Sequence, residues 1–315
     1  MPEPPTLVRR GRLLRIGAAV VVLLAVATYM AVQYATGGRS KPRCTVISAD
    51  GEGDGATYEF TSEQAVNAAT IAAVGTSHGM PERAVTIALA TALQESGLRN
   101  IDYGDRDSLG LFQQRPTKGW GTADQIMDPA YASERFYSHL AQIPGYSRLP
   151  LTAAAQRVQR SGFPQAYAKH EPDATLLAAS LTGRAAASLT CDGRALGGEG
   201  VRSGDPARVR AALARDFGRD VASAKGSGER SVRVPVPAAV DSAEGGERQR
   251  GWELAQWAVA NSSTLRIERV SYAGREWAAG GSGDTWRKVS SAKRGGRSGP
   301  AASMTVGEVR IVTGQ

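Results

Sequence analysis

The stretch Thr91-Ala92-Leu93-Gln94-Glu95-Ser96-Gly97-Leu98-Arg99-Asn100 decides how this chain is read. From Ala84 to Leu93 the only polar side chains are Thr86 and Thr91. A helix there is apolar all round and belongs inside a domain. Gly97 suits its C-terminal stop. Residues 100–116 then form an Asp- and Gly-rich loop, with Leu109, Leu111 and Phe112 anchoring a short hairpin. Glu95 stands at the boundary. A carboxylate at the C-terminal end of a buried helix is badly placed for stability: the dipole is negative there, and apolar surroundings disfavour ionisation. The same two effects suit an acid that gives its proton to a leaving oxygen. The competing reading is an exposed helix-end glutamate paired with Arg99 or Arg106.

The surrounding segments read as mostly helical. Thr61-x-x-Gln64 is a capping box that opens a helix, stopped by Gly79. Pro81 fits the first turn of the central helix. Asp128-Pro129 opens a helix running to about Ala141, and Thr152 caps another that ends at Gly162. Pro164 to Lys169 is a short helical piece, and Pro172 to Leu181 a helix closed by Gly183. One strand is expected between Thr45 and Phe60. Leu196 to Gly204 and Ala222 to Arg230 read as linkers around a helix, Ala207 to Phe217, capped by Asp205-Pro206. The tail alternates strand, helix and strand: Val232 to Val236 with Pro235 limiting it to an edge, Trp252 to Val259, Leu265 to Tyr272, and Val306 to Val312. Ser290 to Ala302 is a basic, Gly-rich loop.

Charge is uneven along the 315 residues. Residues 1–43 carry seven basic and one acidic side chain, residues 44–191 eleven basic and fifteen acidic, and residues 192–315 twenty basic and fourteen acidic. An acidic middle lies between basic ends, which points to an anionic envelope rather than nucleic acid. Leu13 to Val32 is nearly all apolar, long enough at helical rise to span about 30 Å of hydrocarbon. Arg9, Arg10, Arg12 and Arg15 near its start favour a cytoplasmic N-terminus. The expectation is a single-pass membrane anchor over residues 13–36, with residues 1–12 cytoplasmic and the bulk extracytoplasmic. A cleaved signal peptide is the alternative. The two cysteines, Cys44 and Cys191, bracket the acidic middle. Their pairing would close one long loop and stabilise it by about 4–5 kcal/mol; two free thiols are the alternative.

Glu95-Ser96-Gly97-Leu98 followed by Gly110-Leu111-Phe112-Gln113 resembles the paired motifs of the lytic transglycosylases and goose-type lysozymes. That resemblance implies a lysozyme-like helical domain within residues 44–191. It also implies cleavage of the β-1,4 bond between N-acetylmuramic acid and N-acetylglucosamine, with peptidoglycan strands as the partner and no cofactor. It makes Glu95 the general acid and then base, has Ser96 orient it or the substrate, and has Gln113 contact the sugar. The family's Ala-Tyr-Asn element is matched only by Ala166-Tyr167-Ala168, so Tyr167 is the candidate aromatic and the Asn is absent. Trp120, between glycines, is a candidate sugar-stacking side chain, whereas Phe112, Tyr131 and Phe136 suit core. Three readings stand for Asp102, Asp105 and Asp107: turn caps, a water-positioning group that would favour hydrolysis over internal cyclisation, or a cation loop.

Gly251-Trp252-Glu253-Leu254-Ala255-Gln256-Trp257, then Val270 to Trp277 and Trp286-Arg287, look like a module related to the zinc D-Ala-D-Ala carboxypeptidase fold, of the kind carried by actinobacterial envelope proteins. Active forms need two His and one Asp as zinc ligands, and no His follows His170, so the likeness implies a metal-free module. The expected architecture is therefore a membrane anchor, a mainly α lysozyme-like domain, a linker over residues 192–230 with one helix, and a small α+β domain over residues 231–315. Two functions remain: a membrane-anchored glycan-cleaving enzyme (transglycosylase or muramidase), and a non-catalytic envelope protein that binds glycan or acts as a scaffold.

Overall fold

A computed structural model describes residues 23, 27–28, 43–48, 55–161, 165–192, 203–219, 221, 230–236, 245–280, 285–289 and 307–314. The chain divides into two units, residues 1–41 and 42–315. In the first, only Leu23, Ala27 and Thr28 are described, all helical.

In the second unit, β1 (Arg43–Ile47) lies between β2 (Thr57–Thr61) and β3 (Leu189–Cys191) in an antiparallel sheet. Cys44 faces Cys191 in the register, and the two form a disulfide. β2 runs straight into α1 (Ser62–Ser77), because Thr61 ends the strand and caps the helix. The Gln64 N–H donates to Thr61 Oγ1 at 3.3 Å, and the Thr61 N–H to Gln64 Oε1 at 2.8 Å. This is the capping box expected from Thr61-x-x-Gln64.

α2 (Glu82–Ser96) is the central helix, with every residue from Ala84 to Leu93 buried. It packs on α1 and on α3 (Pro129–Ala141), α4 (Leu151–Gln159) and α5 (Glu171–Leu181). Asp128 caps α3 through the Ala130 N–H at 2.9 Å. α4 begins one residue before Thr152, after Pro150, so Thr152 is inside the helix and does not cap it.

The tail supplies α6 (Pro206–Phe217), β4 (Ser231–Pro235), α7 (Gly245–Ala260), β5 (Ile267–Tyr272), β6 (Arg275–Ala278), β7 (Arg287–Lys288) and β8 (Glu308–Thr313). Its strands form an antiparallel sheet in the order β4-β8-β5-β6-β7. β4 is an edge strand, as Pro235 requires. Residues 193–202, 222–229 and 290–306 lie outside the described set, and with them most of both expected linkers and the basic loop.

The expected fold class needs correction. The described chain is not a mainly α domain with a small α+β domain after it, but helices and two antiparallel sheets sharing a continuous apolar core. Buried polar bonds join the tail to the helices. Gln256 is fully buried; its Nε2 donates to Ser180 O (2.6 Å) and Ala185 O (3.0 Å), and its Oε1 accepts from the Ser188 and Leu189 N–H groups, both at 3.0 Å. Asp216 of α6, also buried, accepts from Thr70 Oγ1 at 3.1 Å and Trp257 Nε1 at 2.8 Å. Glu253, held by Arg250 at 2.7 Å, accepts from the Thr76 hydroxyl. A Cβ on Gly183 would lie 1.9 Å from the Gln249 carbonyl oxygen, so α7 approaches the end of α5 at backbone distance.

The membrane anchor is also corrected. No helix among the described residues is long and apolar enough to cross a membrane. The apolar run Leu13 to Val32 lies outside the described residues except at Leu23, Ala27 and Thr28. The expected single-pass placement is not supported by any described helix.

Candidate functional site

Glu95 sits on the last turn of α2, half-buried. The Tyr167 hydroxyl donates to its Oε1 at 2.7 Å. Tyr167 is fully buried, so it stands behind the carboxylate and not on an open wall. Burial first, then the Glu95 charge and the bond to it, push the Tyr167 hydroxyl well above its ordinary value, while a hydrogen bond with Ser161 opposes them. The phenol therefore stays a donor at every physiological pH. Next to it, His170 Nε2 and Gln94 Oε1 are 3.2 Å apart, a second link between the same two segments.

The backbone around Glu95 is held from three sides. Ser96 Oγ lies 2.8 Å from Leu111 O and 3.1 Å from Ala92 O, tying the helix end to the Gly110-Leu111-Phe112-Gln113 turn. From α1, the Gln64 side chain donates to Gly97 O and Asn67 to Leu98 O, both at 2.8 Å. From α4, Gln159 donates to Phe112 O at 2.7 Å. Leu109 and Gln114 pair as a single bridge, the short hairpin expected in this loop. Gly110 is required in two ways: its φ is +76°, and a Cβ would lie 2.7 Å from the Ile126 carbonyl oxygen. Gln113, half-buried, bends its amide back toward Gly110 O (3.3 Å) and Tyr103 O (3.4 Å).

Among the described residues Glu95 has no ion pair. Arg99 Nε turns to Ser96 O at 3.4 Å, and Arg106 lies 3.9 Å from Asp105. The expected alternative pairing of Glu95 with either arginine is thus replaced by the bond to Tyr167. The aspartates divide. Asp102 and Asp105 are exposed. Asp107 accepts from Arg115 Nε at 2.7 Å, Thr117 Oγ1 at 2.6 Å and the Thr117 N–H at 3.0 Å. The Thr117 hydroxyl, the Thr117 N–H and Arg115, in that order, hold its carboxyl well below the usual carboxylate range. Asp107 therefore clamps the loop. Among the described residues no group of three or more His, Cys, Asp or Glu side chains is arranged to hold a metal.

Trp120 is half-buried and lies against His139, the two rings tilted by 31° with centroids 4.2 Å apart. Phe112 and Phe136 are core, stacked at 4.7 Å. Glu95, Ser96, Tyr167 and the turn bearing Gln113 are thus one constellation, and Trp120 belongs to a cleft that also touches Gln113. Sequence reasoning missed Ser161, Gln64, Asn67 and Gln159. Gln64 carried a signal, but as a capping residue; Asn67 and Gln159 have no local pattern, because their partners lie 31 and 47 residues away.

Residues 209–302 match the family model of the VldE C-terminal domain. The match covers under a third of the chain and runs from within α6 beyond β7. It agrees with the likeness of the tail to a carboxypeptidase-related module. No curated protein matches the chain.

Proposed function

We propose that this protein cleaves the β-1,4 glycosidic bond of peptidoglycan, with Glu95 as general acid and then base. The observation that carries the reading is the 2.7 Å bond from a fully buried tyrosine hydroxyl to Glu95 Oε1. A hydroxyl that only donates occupies one carboxyl oxygen and leaves the proton to the other. Oε2 has no protein partner among the described residues and is the oxygen that would deliver the proton to the leaving sugar. Ser96 and its bond to Leu111 keep the helix end against the turn, so the acid and the Gln113 amide stay in one frame. Holding the acid in a single orientation lowers the barrier without any new contact to substrate.

After the leaving group departs, Glu95 is a carboxylate and Tyr167 still donates to it, which stabilises the charge it has gained. It then acts as base toward either a water or a hydroxyl of the sugar itself. With Asp107 held by Arg115 and Thr117, any aspartate assistance to a water falls to Asp102 or Asp105. Residues 209–302, similar to the VldE C-terminal domain, we read as support for the helices.

The test is incubation of the full chain with purified peptidoglycan, reading the products by mass spectrometry. Disaccharide-peptides should be released, and release should stop with Glu95→Gln. Anhydro-ended products identify a lyase and reducing ends a hydrolase. Absence of release at every pH, with binding retained, overturns the enzyme reading in favour of a glycan-binding scaffold. The observation favouring that second reading is that Tyr167, fully buried, offers no face to a sugar, and the Asn expected after it is Ala168.

A further inference from the structure

A cleft of about 650 Å³ opens beside Gln113. Its charged lining is of one sign: Arg115, Lys118, Arg157 and Arg160, with no Asp or Glu. This runs against its surroundings, since residues 44–191 carry fifteen acidic and only eleven basic side chains. Arg115 is neutralised by Asp107 at 2.7 Å. Lys118, Arg157 and Arg160 are exposed and have no ion pair among the described residues.

A cation at the end of a helix has a plain structural reason, the negative end of the dipole. That accounts for Arg157 and Arg160, at the last turn and the stop of α4. It does not account for Lys118, which comes from a separate turn, Pro116–Lys118, and lines the same cleft. Convergence from two elements concentrates positive potential between low-dielectric walls. The cleft also has a flat apolar surface, the Trp120 ring backed by His139. It borders the turn that faces Glu95: Gln113 lines it, and Gln159, another lining residue, bonds Phe112 O of the same turn.

We propose that this cleft holds an anionic group carried by the glycan strand next to the bond to be cut. Trp120 takes a sugar face, and Lys118, Arg157 and Arg160 take the anion. The inference rests on reading the neighbouring site as a glycan site. Two sources offer the same chemistry, the free carboxylates of the peptide branches and phosphodiesters of polymers attached to the glycan.

The experiment is co-sedimentation of the full chain with insoluble peptidoglycan across a salt series, in a Glu95→Gln background so that the polymer is not consumed. Three forms of polymer are used: untreated, stripped of phosphodiesters with hydrofluoric acid, and with carboxylates converted to amides. Arg157→Gln/Arg160→Gln should weaken binding to the untreated polymer about five- to tenfold at low salt, with little difference at high salt, and Arg157→Lys/Arg160→Lys should restore it. The treatment that abolishes the salt-sensitive part identifies the anion. Equal binding by the parent and the Gln variant, or salt-sensitive binding that survives both treatments, overturns the proposal. Absence of cleavage by the Glu95-bearing chain, with charge-dependent binding intact, would sink the enzyme reading and leave this one standing.

Discussion

At the scale of single residues, Tyr167 sets the position of the acid. Its ring is core and its hydroxyl is a tether on Glu95. Tyr167→Phe keeps the ring packing and removes the tether. A hydrogen bond to a charged group contributes about 1.5–3 kcal/mol, so kcat should fall on the order of tenfold or more while KM stays near its parent value. Steady-state release of muropeptides checks this, and a fall confined to KM would show that Tyr167 acts on substrate binding and not on the acid. The pairing was only half legible. Glu95 and Tyr167 could each be picked from motif context, but their contact spans 72 positions and no local pattern encodes it. Ser161, which also bonds that hydroxyl, carried no signal at all.

At the scale of elements, the loop between α2 and α3 owes its shape to Asp107. The carboxylate takes one charged and two neutral donors from Arg115 and Thr117. Its folded value lies below the ordinary one, so the clamp's contribution is present above about pH 4 and is lost as pH falls through the lower folded value. Protection of the Thr117 amide, which donates to Asp107, relative to its intrinsic exchange rate should hold down to about pH 4 and decline only below it. In Asp107→Asn that protection should be low throughout. An amide equally protected in both proteins would refute the clamp. This decides between the readings of the Asp-rich loop for one residue of the three. The types of side chain suggested a cap, a water site or a cation loop, and only the folded loop put Arg115 and Thr117 on Asp107.

At the scale of the whole molecule, the disulfide and the tail act on the same body. Cys44 and Cys191 join the strands at either end of the helical part, 147 positions apart. On the chain-entropy account, Cys44→Ser/Cys191→Ser should lower stability by about 5 kcal/mol, measured by chemical denaturation under otherwise identical conditions. Removing everything after Gly204 should be more severe. It deletes Asp216 from Thr70, Gln256 from Ser180, Ser188 and Leu189, and Glu253 from Thr76. Buried groups left without partners cost about 1–3 kcal/mol each, before the lost apolar contact is counted. The truncated chain should fail to melt cooperatively; a sharp melt near the parent temperature would show that residues 43–192 fold alone.

What the sequence determined by itself is local. Thr61 and Gln64 cap α1, Asp128 and Asp205 open α3 and α6, Ala84 to Leu93 make a helix that must be buried, and Glu95 lies at its end. These follow from side chains acting within a few residues of themselves. Tertiary structure decided what is joined across distance. β1 meets β3 near the other end of the helices, the tail sheet shares the core, and no described helix qualifies as a membrane span. Strands of three to six residues carry little pattern, and their partners are chosen by contacts between segments far apart in the chain. For the same reason Glu95 could be named as an acid from its sequence, while its tether Tyr167 and the cationic cleft beside Gln113 emerged only when separate segments were folded together.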